Sequence, residues 1–414
     1  MNPPTFTPYQ KFVVATLTFL QFSVVLDFMI LSPLGAILMP TLGISTQQFG
    51  FVVSAYAYSA GVAGFLSASF ADRFDRKRLL MVFYAGFLLG TLLCGVAPSY
   101  PLLLAARVVT GLFGGVIGSI GMAIIADLFS LELRGRVMGF VQTGFATSQV
   151  LGLPLGLFLA NHWGWHAPFL MISTVSLAAG TVMALGLRPV REHLALERPS
   201  NPLLHLARTL SRPRYLQGFA VTMLLTTGGF MLMPFGSAFS VGNLGISLEE
   251  LPWVYMATGV ASMIAGPFLG RLSDRLGKYR LFCLGSAWAM IMVVYNTQLG
   301  ITPLGVVIGL NILVFIGISA RMISSQALIS AVPAPPDRGA FMAINSSISQ
   351  LSGGVAATVA GLIVVQTPSG FMDHYDILGY VVASGMGITV ALMYPIHRMV
   401  QRDKASAPVV QLEA

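Results

Sequence analysis

The positions of the basic residues constrain this chain more than any other feature of its sequence. When the chain is divided into twelve apolar spans with its N-terminus on the inner side of a membrane, 21 of its 23 Lys and Arg residues fall in inner segments and none in outer segments. The remaining two, Arg107 and Arg321, lie inside spans. Because basic residues of membrane proteins concentrate in cytoplasmic loops, this pattern predicts an all-α membrane protein with both termini in the cytoplasm.

The composition excludes a soluble protein. The sequence is 55% hydrophobic and 9% charged, whereas about a quarter of the residues in soluble domains are charged. A helix needs roughly 20 apolar residues to cross the hydrocarbon of a bilayer, so 414 residues accommodate twelve spans. The formal net charge of +8 comes from the inner segments. It therefore favours contact with the lipid bilayer, and no nucleic-acid partner is expected.

Signatures of enzymes and of cofactor sites are missing from the sequence. It contains no phosphate-binding Gly-x-x-x-x-Gly-Lys-Ser/Thr loop, no His-Glu-x-x-His pair and no Gly-x-Ser-x-Gly elbow. The two cysteines, Cys94 and Cys283, lie in predicted spans and are expected to pack as small apolar side chains. We therefore expect neither an enzyme nor a metal or organic cofactor.

The predicted spans form two groups of six, separated by a polar segment rich in Arg and Pro. The first group comprises residues 12–38, 48–70, 79–97, 101–126, 136–160 and 165–187, and the second comprises residues 214–240, 250–271, 280–298, 302–330, 338–364 and 377–398. The predicted units are an N-terminal six-helix bundle (1–187), a cytoplasmic linker (188–213), a C-terminal six-helix bundle (214–398) and a cytoplasmic tail (399–414). Within the linker, residues 203–210 are predicted to form a short interfacial helix.

An internal repeat supports the division into two halves. The acidic and basic residues at 72–78, between spans 2 and 3, recur at 274–280, between spans 8 and 9. The pair Arg134 and Gly135 before span 5 recurs as Arg338 and Gly339 before span 11, at nearly the same offset. Parallel repeats of this kind build one large group of secondary transporters.

At these repeated segments the chain resembles the major facilitator superfamily, over essentially its whole length. The family's cytoplasmic Gly-x-x-x-Asp-Arg-x-Gly-Arg-Lys turn is matched in the first half except that Ala68 and Asp75 replace its two glycines, and the second copy keeps both glycines. The resemblance implies that the charged loops act in conformational gating, although they could also merely fix topology. The residues concerned are Asp72, Arg73, Arg76, Lys77, Asp274 and Arg275.

Two further segments are similar to patterns in proton-coupled members and antiporters of this family. Arg107 and Gly111 in span 4 match an Arg-x-x-x-Gly pattern, and Gly152, Pro154 and Gly156 in span 5 form a loose version of a glycine-proline motif. The resemblance implies a part in gating for the second group. Small residues also let helices approach closely and proline bends a span, so a structural role is an equal alternative.

Charged residues inside spans are functional candidates, because an unpaired charge in lipid is costly. Asp27 in span 1 and Arg107 in span 4 are predicted to pair, with Asp27 as the proton-titrating group and Arg107 as its partner; the alternative is a structural ion pair. Arg321 in span 10 is a candidate for the cavity wall; the alternatives are that its side chain extends to the inner interface or pairs with backbone carbonyls. Polar residues expected to line the cavity are Gln21, Tyr56, Tyr58, Gln142, Gln149, Asn311, Gln326, Asn345, Ser346 and Gln350.

Taken with the family resemblance, these residues predict a monomeric secondary transporter in a bacterial inner membrane. It would exchange protons for small amphipathic or polar compounds, such as a drug, sugar or metabolite, by alternating access of its two halves. One alternative is uptake or exchange of an organic anion or metabolite through Arg107 and Arg321. Another is a non-transporting sensor or lipid-handling protein whose cavity binds without turnover.

Overall fold

A computed structural model describes residues 6–191, 194, 202–334 and 337–406. Within these ranges it describes the backbone alone at residues 68, 69, 72, 131, 132, 202–205 and 403–406. Apart from one two-stranded hairpin, the regular structure in these ranges is helical.

The N-terminal half consists of eight α-helices joined by short connections. They are α1 (Pro8–Ile30), α2 (Gly35–Leu42), α3 (Thr46–Phe70), α4 (Arg76–Val96), α5 (Tyr100–Leu128), α6 (Leu131–Thr147), α7 (Leu153–Trp163) and α8 (Ala167–Gly186). A 3₁₀ turn at Ala71–Arg73 follows α3, and a π-helical turn at Ser148–Gly152 joins α6 to α7, so α6 and α7 together form one span.

The C-terminal half follows the linker helix α9 (Pro202–Leu210). Its helices are α10 (Pro213–Leu232), α11 (Gly236–Gly242), α12 (Leu251–Leu276), α13 (Lys278–Thr297), α14 (Leu304–Ile329), α15 (Arg338–Ile363) and α16 (Tyr375–Ser406). A 3₁₀ turn at Met233–Phe235 joins α10 to α11 into one span. Between α15 and α16, the strands β1 (Val365–Gln366) and β2 (Met372–Asp373) pair antiparallel.

The twelve-span architecture is confirmed. Eleven helical stretches of the described residues are long and apolar enough to cross a membrane. The twelfth span is α13, a helix of 20 residues that packs against α14 and α16. This helix is polar at both of its ends, with Arg280 near its beginning and Asn296 and Thr297 at its end.

The predicted spans differ from the observed helices mainly at their ends. The first span was predicted as one helix over 12–38, but α1 ends at Ile30 and α2 begins at Gly35. Pro33 lies in this break, where a proline supplies no backbone N–H and clashes with a continuing helix. The last span extends beyond the predicted residue 398 to Ser406. The β1–β2 hairpin is not predicted by the sequence, because strands of two residues carry no detectable alternation.

The two halves meet along α3 and α15 and again where α7 and the π-helical turn contact α12. We call the end of the bundle at which α1, α4 and α6 begin the basic end, and the opposite end the far end. Hydrogen bonds between described residues join the halves near the far end. Thr46 donates a hydrogen bond to the carbonyl of Val364 at 2.6 Å. Asn161 donates to the carbonyl of Leu248 at 2.6 Å, and Ser237 donates to the carbonyl of Ser32 at 3.0 Å.

The polar segment between the halves is fixed to the bundle at both of its ends. Asp75 caps α4 by accepting hydrogen bonds from the backbone N–H groups of Lys77 and Arg78. The same carboxylate accepts from the backbone of Val190 at 3.3 Å and from Nε of Arg191 at 2.7 Å. At the other end of the segment, Arg212 and the Tyr215 hydroxyl both donate to the Asp337 carboxylate. The linker therefore begins and ends on ion pairs.

Asp75 is expected to make the stability of the protein depend on pH in the acidic range. Burial alone would raise the pKa of its carboxyl, but the hydrogen bonds from Arg191, Val190, Lys77 and Arg78 lower that pKa below its ordinary value. A group with a lowered folded-state pKa contributes stability above its unfolded pKa and loses it as the pH falls through the folded pKa. We expect Asp75→Asn to lower the unfolding temperature at neutral pH. The difference should disappear in strong acid, which thermal unfolding over a pH series measures.

Candidate functional site

Asp27 of α1 and Arg107 of α5 form an ion pair in the interior of the N-terminal half. Nη1 of Arg107 lies 2.9 Å from Oδ2 of Asp27 and also donates to the backbone carbonyl of Asp27 at 3.3 Å. Thr91 of α4 donates its hydroxyl to the other carboxylate oxygen, Oδ1, at 2.9 Å. Three helices of one half thus contribute to a site in which both charged residues are 0% exposed.

The guanidinium of Arg107 is enclosed by aromatic and small polar side chains. Its Cζ lies 4.7 Å from the centre of the Tyr56 ring, a distance at which a cation is attracted to the face of an aromatic ring. Thr110, one turn along α5, lies 3.8 Å from the sulfur of Cys94. Nε of Arg107 has no hydrogen-bond partner within the described part of the chain. This N–H group is therefore a buried hydrogen-bond donor that is not used in this conformation.

The π-helical turn between α6 and α7 packs against α1 at the residue before Asp27. Gly152, its last residue, packs against Leu26, and a Cβ at this glycine would lie 2.7 Å from a Leu26 methyl. Leu26 precedes Asp27 in α1. On the other side of the turn, the backbone of Gln149 approaches Gly259 of α12, so that a Cβ there would lie 3.2 Å away. π-helical turns occur frequently at functional positions in helices. This turn connects the site to the opposite half.

Arg321 lies inside the C-terminal half and points to α13. Its Nε donates to the hydroxyl of Ser286 at 3.0 Å, and its Cζ lies 5.8 Å from the ring of Phe282. The residue is 4% exposed, and no carboxylate pairs with it among the side chains that the structure describes. In this conformation Arg321 is packed between two helices of one half and is not exposed to a cavity between the halves.

The polar residues predicted to line a cavity occupy three kinds of position. Tyr56 is only 2% exposed and packs on Arg107, so it belongs to the interior of the N-terminal half in this conformation. Tyr58 and Gln149 lie at the contact between the halves, where the Tyr58 hydroxyl is 3.2 Å from that of Thr358. The remaining residues are half-buried or exposed on their helices: Gln21, Gln142, Asn311, Gln326, Asn345, Ser346 and Gln350.

The residues predicted to act in gating form contacts mainly in the first half. Nε of Arg76 lies 3.2 Å from the carboxylate of Asp127 at the end of α5, and Nζ of Lys77 donates to the carbonyl of Ala184 in α8 at 2.8 Å. Arg73, Asp274 and Arg275 are exposed. The side chain of Asp72 lies outside those that the structure describes. Pro154 is the second residue of α7, just after the π-helical turn, and Gly156 packs against Ile30.

Several residues of the site could not be predicted from the sequence. Thr91 donates to Asp27 and Ser286 accepts from Arg321, but single hydroxyl residues are common in membrane helices and give no distinguishing signal. Asp75 and Arg191 lie 116 residues apart in the chain, so their pairing depends on the folded linker. Asp127 directly follows the predicted end of span 4, and an acidic residue at that position is the one signal that could have identified it.

Twelve spans in two halves of six, with a buried ion pair in one half and an internal repeat of charged loops, define a secondary transporter. The sequence model of the Major Facilitator Superfamily matches residues 17–242 and again residues 218–411. The chain belongs to this superfamily of membrane transporters, and it is not an enzyme.

Individual relatives and a solved structure agree with this assignment. An uncharacterized MFS-type transporter of Bacillus subtilis, YceJ, is 30% identical over 261 residues, which are 63% of this chain and 66% of the relative. Multidrug resistance protein 2 of the same organism is 22% identical over 364 residues, or 85% of this chain and 88% of the relative. A crystal structure of a bacterial homologue of the lysosomal transporter Spinster, 17% identical, superposes with a TM-score of 0.73 over 96% of this chain and 98% of that chain.

Proposed function

We propose that the protein is a proton-coupled antiporter that exports small amphipathic or polar compounds. The observation that carries this proposal is the ion pair of Asp27 and Arg107, which is enclosed in a membrane-spanning half, next in the chain to Leu26, a residue that contacts the π-helical turn. A carboxylate with a single arginine partner can bind a proton, which neutralises its charge, and release it again. Few other groups in the spans can do so. The basic end would then face the cytoplasm of a bacterial cell.

Proton binding at Asp27 would change its contact with Arg107 and, through Leu26, the position of α1. Addition of a proton to the carboxylate neutralises it and weakens its attraction for the Arg107 guanidinium. Arg107 Nε, which lacks a partner among the described residues, could then form a new hydrogen bond elsewhere in the site. The resulting shift of α1 would reach Gly152 through Leu26 and the opposite half through Gln149 and Gly259. The hydrogen bonds at the far end would break in the alternative conformation.

The location of Arg321 bears on the class of substrate. The alternative of organic-anion exchange requires positive charge on the cavity wall, but Arg321 is packed against Ser286 and Phe282 within its own half. The name of the relative at 85% coverage refers to multidrug resistance. Both observations favour export of amphipathic compounds over uptake of anions.

Transport by Asp27→Asn in proteoliposomes tests the coupling role. With ethidium as a cationic probe and labelled glucose as a neutral one, the wild-type protein should move at least one probe against its gradient when a pH gradient is imposed. Asp27→Asn cannot release a proton, so it should lose gradient-driven movement. It should retain exchange of labelled for unlabelled probe, because exchange needs no net proton transfer.

The controls separate coupling from folding. Asp27→Glu preserves a titratable carboxyl and should keep part of the gradient-driven movement. Asp376→Asn removes an exposed carboxyl at the beginning of α16 and should behave as wild type. Full gradient-driven transport by Asp27→Asn would refute the proposal. Loss of both driven transport and exchange from a folded Asp27→Asn protein would instead assign the ion pair a structural role.

A further inference from the structure

A cavity of about 780 Å³ lies between α1 and α6 at the basic end of the N-terminal half. The two helices run parallel, because Gly144 lies against Thr18 and Gly152 against Leu26. Aromatic and small residues make up most of its wall, and two basic residues complete it. The lining consists of Phe6, Lys11, Val14, Ala15, Thr18, Phe19, Phe22, Arg136, Phe140, Thr143, Gly144 and Thr147. We call this cavity the α1–α6 groove.

The positive charge of the groove is concentrated at one end. Lys11 lies in the first turn of α1 and Arg136 in the second turn of α6, and both helices begin at the basic end. The Arg136 guanidinium is held over two rings of the groove, 4.9 Å from the centre of Phe6 and 6.0 Å from that of Phe140. Neither basic residue pairs with a carboxylate in the described part of the chain, and the lining contains no acidic residue. The groove therefore has a cationic end and an apolar body.

We propose that the α1–α6 groove binds an anionic phospholipid of the surrounding leaflet. Its phosphate would contact Lys11 and Arg136, and an acyl chain would lie along Ala15, Phe22 and Thr147, deeper in the membrane. Basic pockets between membrane helices at the cytoplasmic surface suit acidic headgroups. The volume falls within the range of about 300–1,000 Å³ that ligand sites occupy. A free inorganic phosphate would leave most of this apolar volume unfilled, which favours a lipid as the occupant.

A second cavity at the basic end does not combine a cationic end with an apolar body in this way. It measures about 830 Å³ and is lined partly by Arg73, Arg78 and Arg191. Asp75 also lines it, and its carboxylate is paired with Arg191 at 2.7 Å. Part of the positive charge there is already neutralised, so the α1–α6 groove is the better site for an anion with an apolar tail.

Native mass spectrometry of the purified protein, titrated with phosphatidylglycerol or with phosphatidylcholine of the same chain length, tests the proposal. The wild type should retain phosphatidylglycerol in preference to phosphatidylcholine. Lys11→Gln combined with Arg136→Gln should lower the affinity for phosphatidylglycerol by about thirtyfold, the effect expected for two basic residues near a membrane surface. Ala15→Phe, which fills the groove without changing charge, should also reduce the number of lipids retained.

The matched control is Arg271→Gln combined with Arg280→Gln, which removes two exposed charges at the same end but outside the groove. This control should retain phosphatidylglycerol as the wild type does. Equal retention of the two lipids by the wild type, or an equal loss in the control, would overturn the proposal. Displacement of the lipid by millimolar inorganic phosphate would assign the basic residues to a free anion instead. Because binding is measured without transport, the result is independent of the proposed antiport.

Discussion

Replacing Arg107 by leucine is expected to lower the free energy of unfolding by about 3–5 kcal/mol, the cost of leaving one member of a buried ion pair without its partner. The variant retains Asp27 at a position that is 0% exposed, where Thr91 alone can donate to the carboxylate. It also removes the cation from the face of Tyr56. Chemical unfolding in detergent, followed by the fluorescence of the tryptophans, measures the loss.

Two comparisons identify the unpaired carboxylate as the cause. Asp27→Leu combined with Arg107→Leu removes both charges and should recover most of the lost stability, because an apolar pair replaces an ionic one at little net cost. Arg321→Leu removes another buried arginine, for which no carboxylate partner is found among the described residues. It should cost far less than Arg107→Leu, since it leaves no opposite charge behind. Equal losses for the two single variants would contradict this account.

Much of the fold can be predicted from the sequence, because the bilayer imposes strong constraints on a chain. Long apolar helices and the bias of Lys and Arg to one side are both consequences of the cost of polar groups in lipid. The interruptions of the helices are harder to predict. Pro33 is a visible signal for the break after α1, and Pro154 predicts a bend in span 5, but nothing in the sequence specifies that the irregular turn at Ser148–Gly152 is π-helical.

The buried charges show the limits of the prediction for the site. Asp27 and Arg107 are the two ionisable candidates within the N-terminal spans, so their juxtaposition follows from the cost of an isolated charge. For Arg321 the sequence left open whether the side chain faces a cavity, and in this conformation its guanidinium contacts Ser286 on α13. The direction of a side chain depends on the rotation of its helix, and a helix that is apolar on all faces has no periodicity to reveal that rotation. The roles of these residues in coupling stay predictions.

Gly111 of α5 is expected to be the glycine in this region that least tolerates a side chain. A Cβ at Gly111 would lie 2.1 Å from the Ser59 hydroxyl and 2.4 Å from the carbonyl of Tyr56, so α3 and α5 would have to separate. Overpacking of this kind costs about 1–3 kcal/mol. Gly118, seven residues further along the same helix, has no neighbouring atom within 4 Å of its Cβ position. Gly118→Ala should leave the unfolding free energy unchanged or raise it by up to about 1 kcal/mol, because alanine favours the helix.

The displacement of α3 by Gly111→Ala should also reach the ion pair, since Tyr56 contributes both the crowded carbonyl and the ring beneath Arg107. Residues that share a neighbour show non-additive effects on stability. Gly111→Ala should therefore cost less in a protein that already carries Asp27→Leu and Arg107→Leu than in the wild type, whereas Gly118→Ala should have the same effect in both. A double-mutant cycle in the unfolding experiment measures this difference. Strict additivity for Gly111→Ala would mean that the contact of α3 with α5 and the ion pair are energetically independent.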